Sequence, residues 1–452
     1  MKEKQQGLMT EGPIARQLIV FALPLLLGNV FQQLYNTVDS IVVGNYIGKD
    51  ALAAVGSSGA MINLIISAFM GLSIGAGVVI SQSFGAGKDE EVSDAVHTAV
   101  AFGLLSGVAV TVIGLVLSPQ ILRWMGTPES VMPQSLTYFR VYFGGVMAMV
   151  MYNVLAAILR AVGDSKRPLY FLIISTVINI GLDLLFVAVF SWGIMGVALA
   201  TVIAQAISAL LEFRVLCREQ GSFRIFPRRV RLHPVMLRRI IRIGLPSALQ
   251  NAVVSFSNVV VQSNINAFGE LAMAGCGAYN KIDGFAIMPA MSFSMAVTTF
   301  VGQNRGAEKY DRIKKAARLA VLLSMAVSQI IGVGVMVFAP QLIRIFNSDP
   351  DVVAYGALMA RCIAPFYFML AGTHTQAGAL RGVGLTRVPM IVFISFWCAL
   401  RVLWITVAIR FLPDIRVVFF AYPITWSASA IALMIYQKKR DWVHWTAAPD
   451  KS

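Results

Sequence analysis

The sequence predicts an all-α integral membrane protein: twelve transmembrane helices in two pseudo-symmetric six-helix bundles around a central cavity. Three observations predict this class. Hydrophobic residues make up 57% of the 452-residue chain, and charged residues only 13%. Apolar stretches of about 18 residues or more, the length that crosses a bilayer as a helix, recur from one end of the chain to the other. Finally, several motifs of the first half return in the second half.

Twelve apolar segments are long enough to cross a bilayer. The first begins near Ile14 and lacks the short apolar core and small-residue cleavage site of a signal peptide, so we interpret it as a true span. The predicted spans are 14–44, 51–82, 92–118, 134–160, 168–190, 194–214, 243–268, 272–302, 316–340, 354–380, 388–411 and 415–437.

The net charge of +15 follows from membrane topology. Twelve spans place both termini on one side, and 28 of the 37 Lys and Arg residues lie at or near the connections and termini of that side. This bias predicts that both termini are cytoplasmic, and it argues against a nucleic-acid partner. The resulting divisions are a tail at 1–13, an N-lobe at 14–214, a basic linker at 215–242, a C-lobe at 243–437 and a tail at 438–452.

The two halves repeat one another in sequence. The segment "LRAVGDSKRP" at 159–168 returns as "LRGVGLTRVP" at 380–389, and "SQSFGAGKDEE" at 81–91 returns as "GQNRGAEKYD" at 302–311, both with an offset of 221 residues. Because six spans separate the copies, the halves run in the same direction and form a parallel repeat. Such repeats are typical of transporters in which two bundles rock around a central cavity, so transport by alternating access is the leading hypothesis.

These motifs together resemble the multidrug and toxic compound extrusion (MATE) family over roughly residues 10–440. The resemblance depends on Pro24, "YNTVDSIVVGNYIG" with Asp39, both pairs of repeated loops, and "NIGLD" in the fifth span. It implies a multi-pass efflux transporter of the bacterial inner (cytoplasmic) membrane, functional as a monomer. Such a transporter exports small amphipathic, often cationic, compounds by H⁺- or Na⁺-coupled antiport, without a cofactor. The superfamily also contains flippases of lipid-linked oligosaccharides, which remain the alternative.

The resemblance also implies a cation-coupling site in the N-lobe. Many bacterial and archaeal members combine a first-span aspartate with an Asn and Asp of span five and a Thr of span six. The residues that match here are Asp39, Asn179, Asp183 and Thr201. Another branch of the family uses acids in spans seven and ten, but the positions that match are Val254 and Leu370, which argues against that C-lobe site.

Elementary geometry leads to the same N-lobe residues. Asp183 lies about 24 Å along the fifth helix from Arg167, Asp39 lies near the outer end of the first span, and Thr201 lies about 10 Å into the sixth. All three therefore fall in the outer half of the membrane. Asn179 and Asp183 share one helix face at a spacing of four residues. With no Lys or Arg expected at this depth, two acids require a mobile cation, either a proton or a transient Na⁺; backbone capping is the structural alternative.

Further residues are assigned on weaker grounds. Asp283 and Arg401 fall near mid-depth in spans eight and eleven, which predicts a structural or gating ion pair. Substrate-cavity residues are predicted at Gln32, Tyr35, Asn36, Asn153, Met288 and Met291. The methionines belong to a stripe that is more typical of helix packing than of a binding surface.

An enzymatic function is not supported by the sequence. The four histidines occur in no HxxxxD or HExxH pattern, no nucleotide-binding P-loop is present, and the four cysteines lack metal-binding spacing. We therefore predict no catalytic residues and no resident metal.

Overall fold

The computed structural model describes residues 8–47, 62, 70–124, 127 and 129–445. Every regular element within these ranges is helical, which confirms the all-α class. The second predicted span, 51–82, lies mostly outside the described residues, as do 1–7 of the first tail and 446–452 of the second.

The described residues of the first half form six helices. Two of them continue into wide π-helical turns: α1 through Val43–Ile47 and α5 through Leu184–Val189. Their bounds are α1 Ile14–Val42, α2 Met70–Gly85, α3 Asp89–Trp124, α4 Met132–Ala161, α5 Lys166–Asp183 and α6 Gly193–Arg218.

The second half repeats the succession of spans seen in the first, but three of its spans contain a break in the regular α-helix. Their breaks lie at Ile287, at the 3₁₀ turn Ala364–Phe366 and at the π-helical stretch Phe393–Leu400. The helices are α7 Pro234–Asn266, α8 Glu270–Ala286, α9 Met288–Gly306, α10 Tyr310–Val337, α11 Ala339–Arg344, α12 Pro350–Ile363, α13 Tyr367–Gly382, α14 Arg387–Val392, α15 Arg401–Phe411 and α16 Ile415–Lys439.

Ten of the twelve predicted spans correspond to helices that are long and apolar enough to cross a bilayer, counting one bent helix as a single span. The seventh, α7, is long enough but is not among these ten. Serine, asparagine and glutamine recur along its second half, from Ser247 to Asn264, and lower its hydropathy. It also begins at Pro234, inside the predicted linker, because the helix continues through the basic stretch before Gly244.

The chain forms two compact units, whose boundaries differ from those of the two lobes. Unit 1 contains residues 1–8 and 27–245, and unit 2 contains 9–26 and 246–452. The start of α1 thus belongs with the second half, and Leu18 and Phe21 lie in the hydrophobic core of unit 2. The start of α7 and the basic linker belong with the first half, where Ile240 joins the core of unit 1.

Small residues allow close helix packing in unit 1. The fourth helix bends by 46° between its segments Met132–Gly144 and Val146–Ala161. A Cβ atom on Gly145, at this bend, would lie only 2.1 Å from Cγ1 of Val202 on α6. The glycine therefore lets α6 approach α4 directly beside Thr201, one of the predicted site residues.

Candidate functional site

Three helices of unit 1 bring the four predicted N-lobe residues together. Asp39 comes from α1, Asn179 and Asp183 from adjacent turns of α5, and Thr201 from α6. All four are buried: Asp183 and Asn179 are 0% exposed, and Asp39 is 9% exposed. Polar groups buried to this extent require partners within the protein.

The Asn179 amide links the two acids. Its nitrogen faces the site and donates to Asp39 Oδ1 at 3.0 Å and to Asp183 Oδ2 at 3.3 Å, because the opposite orientation would set its oxygen against acceptors only. The Asp39 carboxyl group also lies in hydrogen-bonding contact with Asp183 and with the Thr201 hydroxyl. The single hydrogen of the Thr201 hydroxyl has two acceptors within reach, the Val197 carbonyl at 3.0 Å and the Asp39 carboxylate.

Two carboxyl groups in direct contact cannot both remain ionised without a cation between them. Within the described ranges, the groups that act electrostatically on Asp39 and Asp183 include no Lys, Arg or His. One oxygen of the pair, Asp183 Oδ1, is buried with no hydrogen-bond partner. The cluster therefore has the donor and acceptor arrangement of a site that holds a proton or another small cation.

Three tyrosines surround the acids. Tyr35, one turn before Asp39, has a buried hydroxyl within hydrogen-bonding reach of the Thr201 hydroxyl. Tyr138 and Tyr142 of α4 are each 7% exposed and lie within electrostatic range of Asp39. Sequence reasoning identified Tyr35 but missed the α4 pair, whose four-residue spacing places both rings on one helix face.

The other predicted substrate-cavity residues are dispersed over the two units. In unit 1, Gln32 and Asn153 are half-buried and Asn36 is exposed, while Asn153 donates to the Met149 carbonyl at 2.9 Å. In unit 2, Met288 is buried and Met291 is 38% exposed. Contact between these residues and a substrate remains a prediction.

The predicted ion pair between Asp283 and Arg401 does not form. The Asp283 carboxylate instead accepts a hydrogen bond from Tyr367 at 2.6 Å and another from Tyr279 at 3.3 Å. The two hydroxyl oxygens lie 2.8 Å apart, so Tyr279 shares its single hydrogen between Asp283 and the Tyr367 oxygen. Neutral donors thus satisfy this acid, so it needs no guanidinium.

Arg401 has its own partners. It is 0% exposed and donates to Thr425 Oγ1 at 3.0 Å and to Asn258 Oδ1 at 3.2 Å. Its guanidinium also lies 4.6 Å from the centre of the Tyr422 ring and 5.2 Å from that of Trp397, distances at which the ring faces attract a cation. The guanidinium is therefore held by an amide oxygen, a hydroxyl oxygen and two aromatic rings, and not by the expected carboxylate.

Comparison with known proteins places this chain in a family. The model of the MatE family matches it twice, over residues 24–185 and 246–405, once in each half of the repeat. The chain is similar to the probable multidrug resistance protein YoeA of Bacillus subtilis, with 30% identity over 96% of this chain and 100% of that protein. It is likewise 30% identical to the probable multidrug resistance protein NorM of Thermotoga maritima, over 85% of this chain and 84% of that protein.

Solved structures show the same fold. A multidrug resistance MATE family transporter of the MOP superfamily, solved in an outward-facing conformation, superposes with a TM-score of 0.90 and 24% identity over 97% of this chain and 98% of that one. A MOP superfamily transporter from Pyrococcus furiosus superposes with a TM-score of 0.91 and 23% identity, also over 97% and 98%. The family model matches both halves of the sequence, and the solved MATE transporters share the fold. The chain therefore belongs to the MatE family: it is a bacterial-type MATE transporter of the membrane.

Proposed function

We propose that this transporter exports small amphipathic, often cationic, compounds from the cytoplasm in exchange for an inward-moving cation, and that the cation is a proton. The names of its relatives support multidrug efflux. The observation that carries the coupling mechanism is the buried contact between Asp39 and Asp183, which no basic side chain of the described residues neutralises.

The contact between the two carboxyl groups favours a proton over sodium. The Asn179 amide does not discriminate, because it can turn its nitrogen toward carboxylate oxygens or its oxygen toward a sodium ion. The direct contact between the carboxyl groups is the arrangement of two acids that share one proton. The Thr201 hydroxyl can form a hydrogen bond with Asp39 or offer a lone pair to a metal ion, so it does not discriminate either.

Coupling requires that the two access states differ in proton affinity, since a cation that bound both equally would shift no equilibrium. A proton that enters from outside is driven inward by the membrane potential, at about 2.3 kcal/mol per charge per 100 mV. Protonating the Asp39–Asp183 pair lowers the negative charge that a cationic compound would be attracted to. In this mechanism, proton binding weakens cargo binding in the outward-facing state and lets the emptied transporter return.

Topology and assembly complete the proposal. The positive-inside bias supports cytoplasmic termini in the bacterial inner membrane, with the Asp39 cluster in the outer half of the bilayer. A single chain contains both repeats, and the four site residues all come from unit 1, so a monomer suffices for transport.

The test is dye efflux from vesicles containing the purified protein, with a pH gradient or a sodium gradient imposed separately. We expect efflux under the pH gradient alone, and its loss in Asp39→Asn with membrane insertion intact. Efflux driven only by a sodium gradient would identify Na⁺, and not H⁺, as the coupling ion. Scrambling of lipid-linked oligosaccharide without either gradient would instead favour the flippase, and equal efflux by Asp39→Asn would refute the site.

A further inference from the structure

A second group of buried polar residues lies on α6, toward the helix end that leads into the basic linker. Thr201, Gln205, Ser208 and Glu212 are spaced by four, three and four residues, so they lie along one helix face. None is more than 6% exposed. The stripe extends from the Asp39 cluster to Glu212 over about 17 Å, at about 1.5 Å per residue.

Glu212 is the most unusual member of this stripe. It is 0% exposed, and neither carboxylate oxygen accepts a hydrogen bond from a side chain; the one hydrogen-bond donor near it among the described residues is the backbone N–H of Ala156 on α4. It lies about six residues from the end of α6, where sequence reasoning placed the membrane boundary and overlooked it. A buried carboxylate with so little hydrogen bonding is disfavoured in its ionised form, so this acid is expected to carry a proton for part of a functional cycle.

The surroundings of Glu212 contain one source of compensating charge. Arg160 and Tyr152 of α4 both lie within electrostatic range of it, and Arg160 forms no hydrogen bond with it. The other helix packed on this face is α5, where the Phe171 carbonyl accepts a hydrogen bond from the Ser208 hydroxyl. Two basic residues begin α5 at this end: Lys166 is exposed, and Arg167 is already paired with Asp164 and Glu219. Arg160 is thus available to stabilise Glu212 when the acid is ionised.

The residue between the two acidic sites is also incompletely bonded. The side-chain oxygen of Gln205 is buried without a partner, one turn beyond Thr201. Ser208 and Ser175, in contrast, donate to carbonyls across the α5–α6 contact at 3.0 and 2.9 Å. A free acceptor at Gln205 can orient the first water molecule on the Glu212 side of the Asp39 cluster.

We propose that Glu212 is a proton-binding residue of the transport cycle and transfers protons between the Asp39–Asp183 pair and the cytoplasm. A proton leaves a carboxyl group of the pair, crosses the roughly 10 Å from Gln205 to Glu212 along a chain of water molecules that enters in the inward-facing state, and binds the Glu212 carboxylate. Glu212 then releases it to cytoplasmic water, and the resulting carboxylate is stabilised by Arg160 until the next transfer. The inference rests on the proposed proton-coupled function, and it assigns that proton a defined route to the cytoplasmic side.

The experiment compares Glu212→Gln, Glu212→Asp and the wild type in vesicles. Two rates are measured: dye efflux driven by a pH gradient, and exchange of labelled for unlabelled dye without any gradient. We expect Glu212→Gln to lower gradient-driven efflux on the order of tenfold or more while exchange stays within about twofold, since exchange needs no net proton transfer. Glu212→Asp, which keeps the acid, should restore most of the driven efflux. Glu90→Gln, an exposed acid at the start of α3, is the matched control and should resemble the wild type in both rates.

The outcomes separate the two proposals. If wild-type protein shows no efflux under a pH gradient, the proposed proton coupling fails. If the wild type is driven by the gradient and Glu212→Gln equals it, only the role of Glu212 is overturned. Loss of both driven efflux and exchange in Glu212→Gln, or failure of Glu212→Asp to restore driven efflux, would show a structural role and would also overturn the inference.

Discussion

The two halves of the chain hold buried acids in opposite ways. In the first half, Asp183 contacts a second carboxyl group and retains an oxygen with no partner. In the second half, Asp283 accepts hydrogen bonds from two tyrosine hydroxyl groups and contacts no other acid of the described residues. Hydroxyl donors stabilise a fixed carboxylate, whereas a neighbouring acid makes the charge depend on a mobile cation. Under the proposed mechanism, this difference assigns coupling to Asp183 and a structural role to Asp283.

The repeat makes the comparison sharper. An offset of 221 residues carries Asn179, Asp183 and Thr201 onto Leu400, Trp404 and Tyr422, so the second half has apolar or aromatic side chains where the first has its polar cluster. The loops and prolines that set helix packing are retained in both halves. The duplicated scaffold thus fixes the placement of helices, while each half carries its own chemistry on them.

The largest expected effect comes from exchanging the acids for amides one at a time. Asp183→Asn should lower gradient-driven dye efflux by roughly 100-fold or more, equivalent to about 2.7 kcal/mol, because the shared proton is lost. Asp283→Asn should retain driven efflux, since its two hydroxyl partners can also bond to an amide oxygen. Rates per inserted molecule in vesicles measure both. Equal losses in the two variants would abolish the distinction between the halves.

Arg401 tests the structural side of the comparison. Replacing it with methionine leaves Asn258 and Thr425 without their charged donor and removes two ring contacts, which should cost about 2–3 kcal/mol of folding stability. Thermal unfolding in detergent should show the loss, while driven efflux per folded molecule persists. A stable Arg401→Met protein that no longer couples would instead place the guanidinium in the transport machinery.

Gly145 tests how the first half positions its site. In Gly145→Ala the new methyl group would overlap Val202, so α6 must move away from α4 beside Thr201, at an expected cost of about 1–2 kcal/mol. The adjacent Gly144→Ala is the matched control, because a Cβ atom there meets nothing within 4 Å. The unfolding midpoint in detergent should fall only in the first variant. A similar midpoint for both would mean that the close approach contributes little.

Thr201 should give the smallest effect. Thr201→Val removes the hydroxyl that forms a hydrogen bond with the Asp39 carboxyl group, but it leaves Asn179 and Asp183 in place. Driven efflux should therefore fall by about three- to tenfold. Thr176→Val provides the comparison: this buried hydroxyl of α5 bonds only to the Leu172 carbonyl at 2.8 Å and should be dispensable for coupling. If the two substitutions lower efflux equally, the hydroxyl oxygen at 201 has no specific part in coupling.

The sequence predicts placement along helices better than it predicts orientation around them. Asp39, Asp183 and Thr201 have matching depths, and the structure brings them together because the four-residue spacing also gives Asn179 and Asp183 a common face. Asp283 and Arg401 have matching depths too, but each side chain bonds to other residues and not to the other one. Depth alone did not exclude neutral donors such as Tyr367, which comes from a distant part of the chain.

Breaks within spans and buried acids near helix ends were the other features that sequence reasoning missed. The continuous prediction for span eight overlooked the interruption at Ile287, although Pro289 follows it in the first turn of α9. The 3₁₀ turn in span ten contains Pro365. Glu212 lay close to the predicted end of span six, where an acid is expected to be hydrated, and only tertiary packing shows that it is buried.

The most direct test of the central claim is the release of protons by purified transporter when a cationic substrate binds. In weakly buffered detergent solution with a pH indicator, wild-type protein and Asp283→Asn should both release protons on adding substrate, and Asp39→Asn should release none. This result would assign the exchangeable proton to the Asp39–Asp183 pair. Proton release by Asp39→Asn equal to that of the wild type would contradict the account.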